Sequence, residues 1–229
     1  MPLIIFDFDK TLIPVDTGFE YIRFMLRRSR VRKVLARLVS PLGIGLLFVP
    51  PLRYWGISLF AWIATFPTNR EALKATEEPY LDWLFDERGL GLYPAGVARI
   101  RAYQRQGHRV VIVTGSPRGL AEAVLRRAGL DGVDVIGSGD GVLLGGAVCT
   151  EHCIGGRKIT CCRQAGLDLD ELERMYSDSL LDLPLLRRAR EAVLVNPKTR
   201  AHKAVRAVVP HVNVERWTLE PEVGESPSG

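Results

Sequence analysis

Short strand-like segments at residues 3–6, 109–115, 133–136, 173–176 and 192–195, most of them apolar, alternate along this chain with stretches of helical periodicity. The first two, L-I-I-F and R-V-V-I-V-T-G, carry no apolar/polar alternation, which is the pattern of strands buried on both faces of a parallel sheet. Each of the intervening segments has its own start or stop signal. Pro94 opens a helix running to about Gln106 that Gly107 closes, and Ser116 and Pro117 read as the N-cap and first residue of a helix reaching about Ala128. Residues 141–148 predict a hairpin with Gly145 and Gly146 at its turn, residues 153–158 a glycine-containing loop into a helix, and Pro184 and residues 199–208 two further helices. Strands separated by helices imply an α/β protein whose sheet is mostly parallel, with helices on both faces.

One region breaks this rhythm. Phe19, Ile22 and Leu26 recur at helical spacing, and Arg23, Arg27, Arg28, Arg30, Arg32, Lys33 and Arg37 make the same stretch strongly basic. Residues 38–52 and 54–69 then carry no charge, and residues 70–90 return to an ordinary amphipathic helix. Each charge-free run is shorter than the roughly 20 residues a spanning helix needs, and Pro41, Pro50 and Pro51 interrupt them. The segment therefore predicts a helical insert, residues 14–90, placed as a cap after the first strand. Its apolar faces either pack on the main domain or dip into a bilayer whose anionic head groups meet the basic run, with Trp55 and Trp62 suited equally to the interface or to the core. The core takes residues 1–13 and 91–220, and residues 221–229 read as an unstructured tail.

Composition narrows the field only in part. With 229 residues, 47% of them hydrophobic, the chain can bury one sizeable core, and a net charge of +5 favours anionic partners. No nucleic-acid motif is present, so phosphorylated metabolites or lipid head groups are the better-supported anions. Cys149, Cys153, Cys161 and Cys162 lie in one short segment of a chain that begins without a cleavable signal pattern, which points to reduced cytosolic thiols. With His152 they match no standard zinc spacing, so loop and core thiols are expected.

The chemistry concentrates at the strand ends. Asp7 and Asp9 project to the same side of an extended chain, where two ionised carboxylates repel unless a cation or a shared proton relieves them; two solvated, helix-capping aspartates are the bland reading. Further along stand Thr114, Gly115 at the start of a helix, Lys158, and Asp178 followed four residues later by Asp182. A strand-end hydroxyl, a glycine and a fresh helix N-terminus make a good anion pocket.

In order, D-F-D-K-T-L, I-V-T-G-S, G-G-R-K and Y-S-D-S-L-L-D resemble the four motifs of the haloacid dehalogenase superfamily, and the resemblance covers nearly the whole chain. It implies a Rossmann-like sheet, and the insert after the first motif together with S-D-S-x-x-D-x-P-L-L is similar to the subfamily that contains phosphoserine phosphatase. By the same resemblance Asp7 is a nucleophile that forms an aspartyl-phosphate and Asp9 the acid and base. Mg²⁺ is held by Asp7, the carbonyl of Asp9 and Asp178; Thr114 and amides near Gly115 bind the phosphoryl oxygens, Lys158 neutralises charge, and Asp182 orients Lys158 or a metal-bound water. An acid/base aspartate at position 9 favours phosphate-ester over halide chemistry. Lys10 stands where many members carry glycine.

R-F-M-L-R-R at 23–28, A-W-I-A-T-F at 61–66, T-G-S-P at 114–117, C-I-G-G-R-K at 153–158 and Y-S-D-S at 176–179 are similar, more narrowly, to the bacterial phosphatidylglycerophosphatase C family. That likeness implies a lipid phosphate substrate and a peripheral place on the cytoplasmic side of the inner membrane. The alternative is a soluble cytoplasmic phosphatase of small metabolites such as phosphoserine or phosphocholine.

Overall fold

The computed structural model describes residues 1–49 and 52–220. The tail expected from Pro221 and the break expected at Pro50 and Pro51 lie outside the described residues. Seven strands form one sheet: β1 (Leu3–Phe6), β2 (Arg109–Pro117), β3 (Asp134–Leu143), β4 (Gly146–Glu151), β5 (Leu172–Ser177), β6 (Glu191–Val195) and β7 (Asn213–Glu215), in the order β4-β3-β2-β1-β5-β6-β7. Every pairing is parallel except β3 with β4. The chain leaves β1 for β2 on one side and later returns to β5 on the other, so β1 lies at the point where the winding reverses, and its C-terminal end opens into the crevice between the two halves.

Strand alternation divides the core. Ile4, Phe6, Val110 and Ile112 face one layer, with Ile100 and Tyr103 of α6 (Pro94–Arg105) and Val124 and Leu125 of α7 (Arg118–Arg127). Leu3, Ile5, Val111 and Val113 face the other, with Cys161 and Cys162 of α8 (Arg157–Gln164), Leu185 and Leu186 of α9 (Leu183–Leu186), and Val205 of α10 (Thr199–Arg206). All four residues of β1 are buried, which is why this strand reads as an uninterrupted apolar run. Phe6 stacks on Tyr176 of β5 with ring centroids 4.3 Å apart.

Between β1 and α6 the chain builds a helical unit: α1 (Thr17–Arg27), α2 (Arg30–Phe48), α3 (Arg53–Thr65), α4 (Arg70–Lys74) and α5 (Glu77–Asp82), the last running into a π-helical turn over Trp83–Glu87. The single helix expected over residues 70–90 is thus three pieces, with no apolar face long enough to need continuity. Asp16 and Ser29 cap α1 and α2 through their side chains, accepting from the backbone N–H groups of Phe19 and Arg32. No helix among the described residues is long and apolar enough to cross a membrane.

Two other expectations shift. β2 continues through Ser116 to Pro117, and α7 begins at Arg118, because Ser116 turns its hydroxyl to Asp9 instead of capping the helix. The segment expected as an isolated strand at 133–136 is the first half of β3, which runs on into the hairpin; its turn falls on Leu144 and Gly145, both at positive φ, rather than on Gly145 and Gly146. Gly146 already belongs to β4 because the indole of Trp62 lies against it: a Cβ there would come within 2.4 Å of the ring.

Helix α3 lies along the outer edge of β4 and satisfies that edge. The N–H groups of Ala147 and Cys149, two residues apart on the strand, donate to Thr65 Oγ1 (2.8 Å) and Ser58 Oγ (3.2 Å), while Trp62 Nε1 donates to the Leu143 carbonyl (2.9 Å). Trp62 also stacks on Phe66, so this tryptophan serves the contact between insert and hairpin; the interfacial position open to both tryptophans fits Trp55 alone, which is exposed. Gly146→Ala should displace Trp62 and lower stability by about 1–3 kcal/mol, measured as a fall in urea midpoint together with faster proteolysis of the insert.

Candidate active site

The turn after β1 builds the site. The Phe8 carbonyl gathers the N–H groups of Thr11, Leu12 and Ile13, and the chain reverses through Lys10 at φ 62°. A lysine where only glycine is unstrained costs about 1 kcal/mol, and its side chain reaches Asp16 at 3.6 Å. Asp7 donates its backbone N–H to the Tyr176 carbonyl at 2.8 Å, locking the turn to the end of β5.

Asp7, Lys158 and Asp182 form a buried row. Lys158 Nζ lies 2.6 Å from Asp7 Oδ1 and 2.8 Å from Asp182 Oδ1, and all three side chains are nearly solvent-free. Thr11 Oγ1 donates to the other oxygen of Asp7 (2.9 Å) and accepts from the Asp178 N–H (2.9 Å); Ser177 Oγ donates to Asp182 Oδ2 (2.8 Å). Burial raises the pKa of Asp7 to about 7, with Lys158 opposing and Asp182 adding to the shift. Burial works against the charge on Lys158, but Asp182 and Asp7 outweigh it and lift its pKa, so the ammonium stays charged.

Asp9 has a different environment. Its Oδ1 accepts from the N–H and the hydroxyl of Thr17, both at 2.7 Å; its Oδ2 accepts from Ser116 Oγ (2.7 Å) and Thr114 Oγ1 (3.1 Å). Burial raises its pKa, Asp16 adds to that, and the hydrogen bonds from Thr17 and Ser116 oppose it. Three of the four donors are hydroxyls, which can turn to accept as well as donate, so this bracket tolerates the carboxyl in either protonation state. The Thr114 hydroxyl, expected to meet phosphoryl oxygens, is here given to Asp9 and also accepts from the Ser116 N–H (3.0 Å). Gly115 sits beside it against Ile154, its carbonyl accepting from Ser138 Oγ at 2.7 Å.

The six side chains singled out in the sequence, and Gly115 with them, thus converge at the C-terminal ends of β1, β2 and β5 and at the start of α8. Four partners were not singled out: Thr11, Thr17, Ser116 and Ser177, all fully or almost fully buried hydroxyls. Thr11 carries a local signal, four residues after Asp7 on a tight turn; Ser116 and Thr17 meet across 99 positions of sequence and leave none.

The donors suit a hard divalent cation. Burial lifts the Asp178 pKa to about 6, with Lys10 opposing and Asp182 adding to the shift. The half-buried carboxylate of Asp178, with Asp7 and the carbonyl of Asp9, is an oxygen-only set of the kind that holds Mg²⁺ with water completing the shell. Among the described residues no three His, Cys, Asp or Glu side chains cluster as a metal cage, and Mg²⁺ needs only one or two carboxylates. Of the cysteines, three are buried and Cys149 is half-buried beside His152, its Sγ 3.1 Å from Nδ1.

Comparisons with known proteins follow the same outline. The family model described as haloacid dehalogenase-like hydrolase matches residues 4–187. Among solved structures, a Bordetella pertussis Tohama I protein of unknown function is 19% identical with a TM-score of 0.72, over 93% of this chain and 98% of the other. A phosphoserine phosphohydrolase-like protein from Francisella tularensis subsp. tularensis SCHU S4 is 15% identical with a TM-score of 0.59, over 94% and 95%. A substrate-bound phosphoserine phosphatase is 15% identical with a TM-score of 0.56, over 93% and 98%. At these identities the likeness is one of fold.

Lys158→Met should destabilise the fold by about 3–5 kcal/mol, because two buried carboxylates lose their shared cation. A carboxyl whose folded-state pKa is raised stabilises the fold as pH falls through that value, so the deficit should shrink from pH 8 to pH 5.5. Urea unfolding at the two pH values reads both effects.

Proposed function

The chain belongs to the haloacid dehalogenase-like hydrolases, and from that premise we propose that it is a phosphomonoesterase whose substrate is a lipid phosphate, phosphatidylglycerophosphate. The observation that carries the chemistry is the unlike setting of two neighbouring carboxylates: Asp7 faces a buried ammonium, Asp9 a ring of hydroxyls. The first lies against a cation that favours its ionised, attacking form in opposition to burial; the second can gain and lose a proton in place.

In the proposed reaction an oxygen of Asp7 attacks phosphorus while the bond from phosphorus to the ester oxygen breaks. The proton on Asp9 passes to that leaving oxygen, producing an alcohol and an aspartyl-phosphate. Asp9, now a carboxylate, takes a proton from water as the water oxygen attacks phosphorus, releasing phosphate and restoring Asp7. Lys158 offsets the charge that gathers on the phosphoryl oxygens, and Asp182 keeps the ammonium aimed between the two. Asp7, Asp178 and the carbonyl of Asp9 would hold Mg²⁺, which supplies charge neutralisation for the phosphate when bound.

The surface of the insert supports the lipid reading. On α2, Val31, Val34, Leu35, Leu38 and Leu42 are all exposed and fall at helical spacing on one face, while Ala36 and Gly43 turn toward α3. The stripe continues to Phe48, Val49 and Trp55 at the tip, where Phe48 is 81% exposed. Arg30, Lys33 and Arg37 flank it. A helix whose outward face is apolar and rimmed by cations fits the surface of an anionic bilayer: each buried leucine contributes about 1.5–3 kcal/mol, and each basic residue near the surface about 1 kcal/mol. Binding would lie in the plane of the interface on the cytoplasmic side.

A second reading has its own observation. The solved structures of similar fold include phosphoserine phosphatases whose chains match this one nearly end to end, which favours a soluble phosphatase of small metabolites.

Asp7→Asn should abolish turnover, leaving phosphate release from phosphatidylglycerophosphate micelles at the no-enzyme rate. The wild type should prefer those micelles to phosphoserine and phosphocholine; the reverse order would overturn the lipid assignment. Leu38→Glu with Leu42→Glu should reduce co-sedimentation with phosphatidylglycerol vesicles at physiological salt while p-nitrophenyl phosphate hydrolysis is retained.

A further inference from the structure

We propose that Tyr80 is a positioning residue for Asp9, acting through Thr17. The inference rests on the acid–base role given above to Asp9. Tyr80 lies on α5, the return leg of the insert, and its side chain is fully buried. Its hydroxyl donates to the Thr17 carbonyl at 3.0 Å. Thr17 is the first residue of α1, so its N–H has no partner within the helix and is free to point outward. That N–H and the Thr17 hydroxyl are the two groups that hold Asp9 Oδ1. Tyr80 therefore grips the same residue from behind that grips Asp9 from the front.

The ring is fixed well enough for its hydroxyl to matter. Tyr21 and Phe24, both on α1, meet it edge-on with centroids 5.2 and 5.7 Å away, and Trp83 closes the cluster at 6.1 Å. Burial pushes the phenol well above its usual pKa, so it remains a donor throughout the working range. Two separate legs of the insert thus converge on one carboxylate oxygen, α1 by direct hydrogen bonds and α5 through the Thr17 peptide. Proton transfer to a leaving oxygen requires hydrogen-bond reach, and small misplacements of a catalytic group are expensive. Without the Tyr80 hydroxyl, α1 is still held to α5 by ring packing and by the Tyr21–Thr76 hydrogen bond, but nothing from α5 holds the Thr17 backbone and its donor pair loses its fixed aim.

The test separates proton delivery from general damage by varying the leaving group. Glycerol 1-phosphate expels an alkoxide that needs the proton of Asp9; p-nitrophenyl phosphate expels a phenolate that does not. In the full-length protein, Tyr80→Phe should lower kcat/KM for glycerol 1-phosphate by roughly 5- to 20-fold, a fraction of what general acid catalysis contributes, and hardly change it for p-nitrophenyl phosphate. Tyr21→Phe removes a hydroxyl of the same cluster that is paired with Thr76 instead, and it should keep the wild-type ratio. In an Asp9→Asn background, Tyr80→Phe should produce no further selective loss.

Equal losses on both substrates, or none, would overturn the proposal. So would a persisting selective loss in the Asp9→Asn background. If Asp9→Asn itself keeps the wild-type preference between the two substrates, the acid–base reading of Asp9 falls and this inference falls with it. A selective Asp9→Asn with an unselective Tyr80→Phe removes only the inference. Thermal melts of each variant show that the folded enzyme is being compared.

Discussion

The structure depends most on one ammonium group between two carboxylates. Lys158 brings α8 over the ends of β1 and β5, and it can be buried there only because Asp7 and Asp182 each come within hydrogen-bond distance. Take away the lysine and two acids face each other in a low-dielectric setting; take away either acid and the charge balance of the row changes. The surrounding hydroxyls follow from the same requirement. Thr11 and Ser177 hydrogen-bond the oxygens of Asp7 and Asp182 that Lys158 does not reach, so each carboxylate oxygen of the buried row has a partner. The fold concentrates buried polar side chains at this one junction: Asp7, Thr11, Lys158, Ser177 and Asp182.

Much of the core could be read from pattern, and the reasons are visible in particular residues. β1 is buried on both faces and therefore reads as four apolar residues in a row, and the acids that follow it fall where parallel strands end. The motif residues Asp7, Asp9, Thr114, Lys158, Asp178 and Asp182 are far apart in sequence but each follows a strand or starts a helix, so local reading was enough to place them. Ser116 reads as a helix cap because Ser-Pro is a good local start signal; Asp9, in the turn after β1 and 107 positions earlier, claims its hydroxyl instead. Thr17 and Tyr80 are equally opaque, since nothing about a threonine or a tyrosine on an amphipathic helix names the carbonyl or carboxylate it will meet.

The insert shows the opposite balance. Its composition identified it as unusual, yet the distribution of its apolar residues could not be had from composition. Trp62 and Trp55 looked alike in sequence; one is consumed by the hairpin and the other stands at the tip. On α2 the small residues Ala36 and Gly43 are the buried ones, Phe60 closing over Gly43, and Val31, Val34, Leu35, Leu38 and Leu42 are left exposed. An amphipathic helix packed on a core ordinarily turns its large apolar residues inward.

The placement of α3 along β4 has a consequence for how this protein can vary. β4 is the last strand on its side of the sheet, and such strands invite pairing with other chains. Ser58 and Thr65 occupy its free amides from the flank, so the insert is also the guard of the sheet's margin. An exchange of inserts between relatives, or a loss of this one, would have to supply another cover for Ala147 and Cys149 or leave a strand able to recruit its neighbours. The cover of the sheet's edge and the exposed apolar face of α2 thereby belong to one pair of packed helices, and selection on one constrains the other.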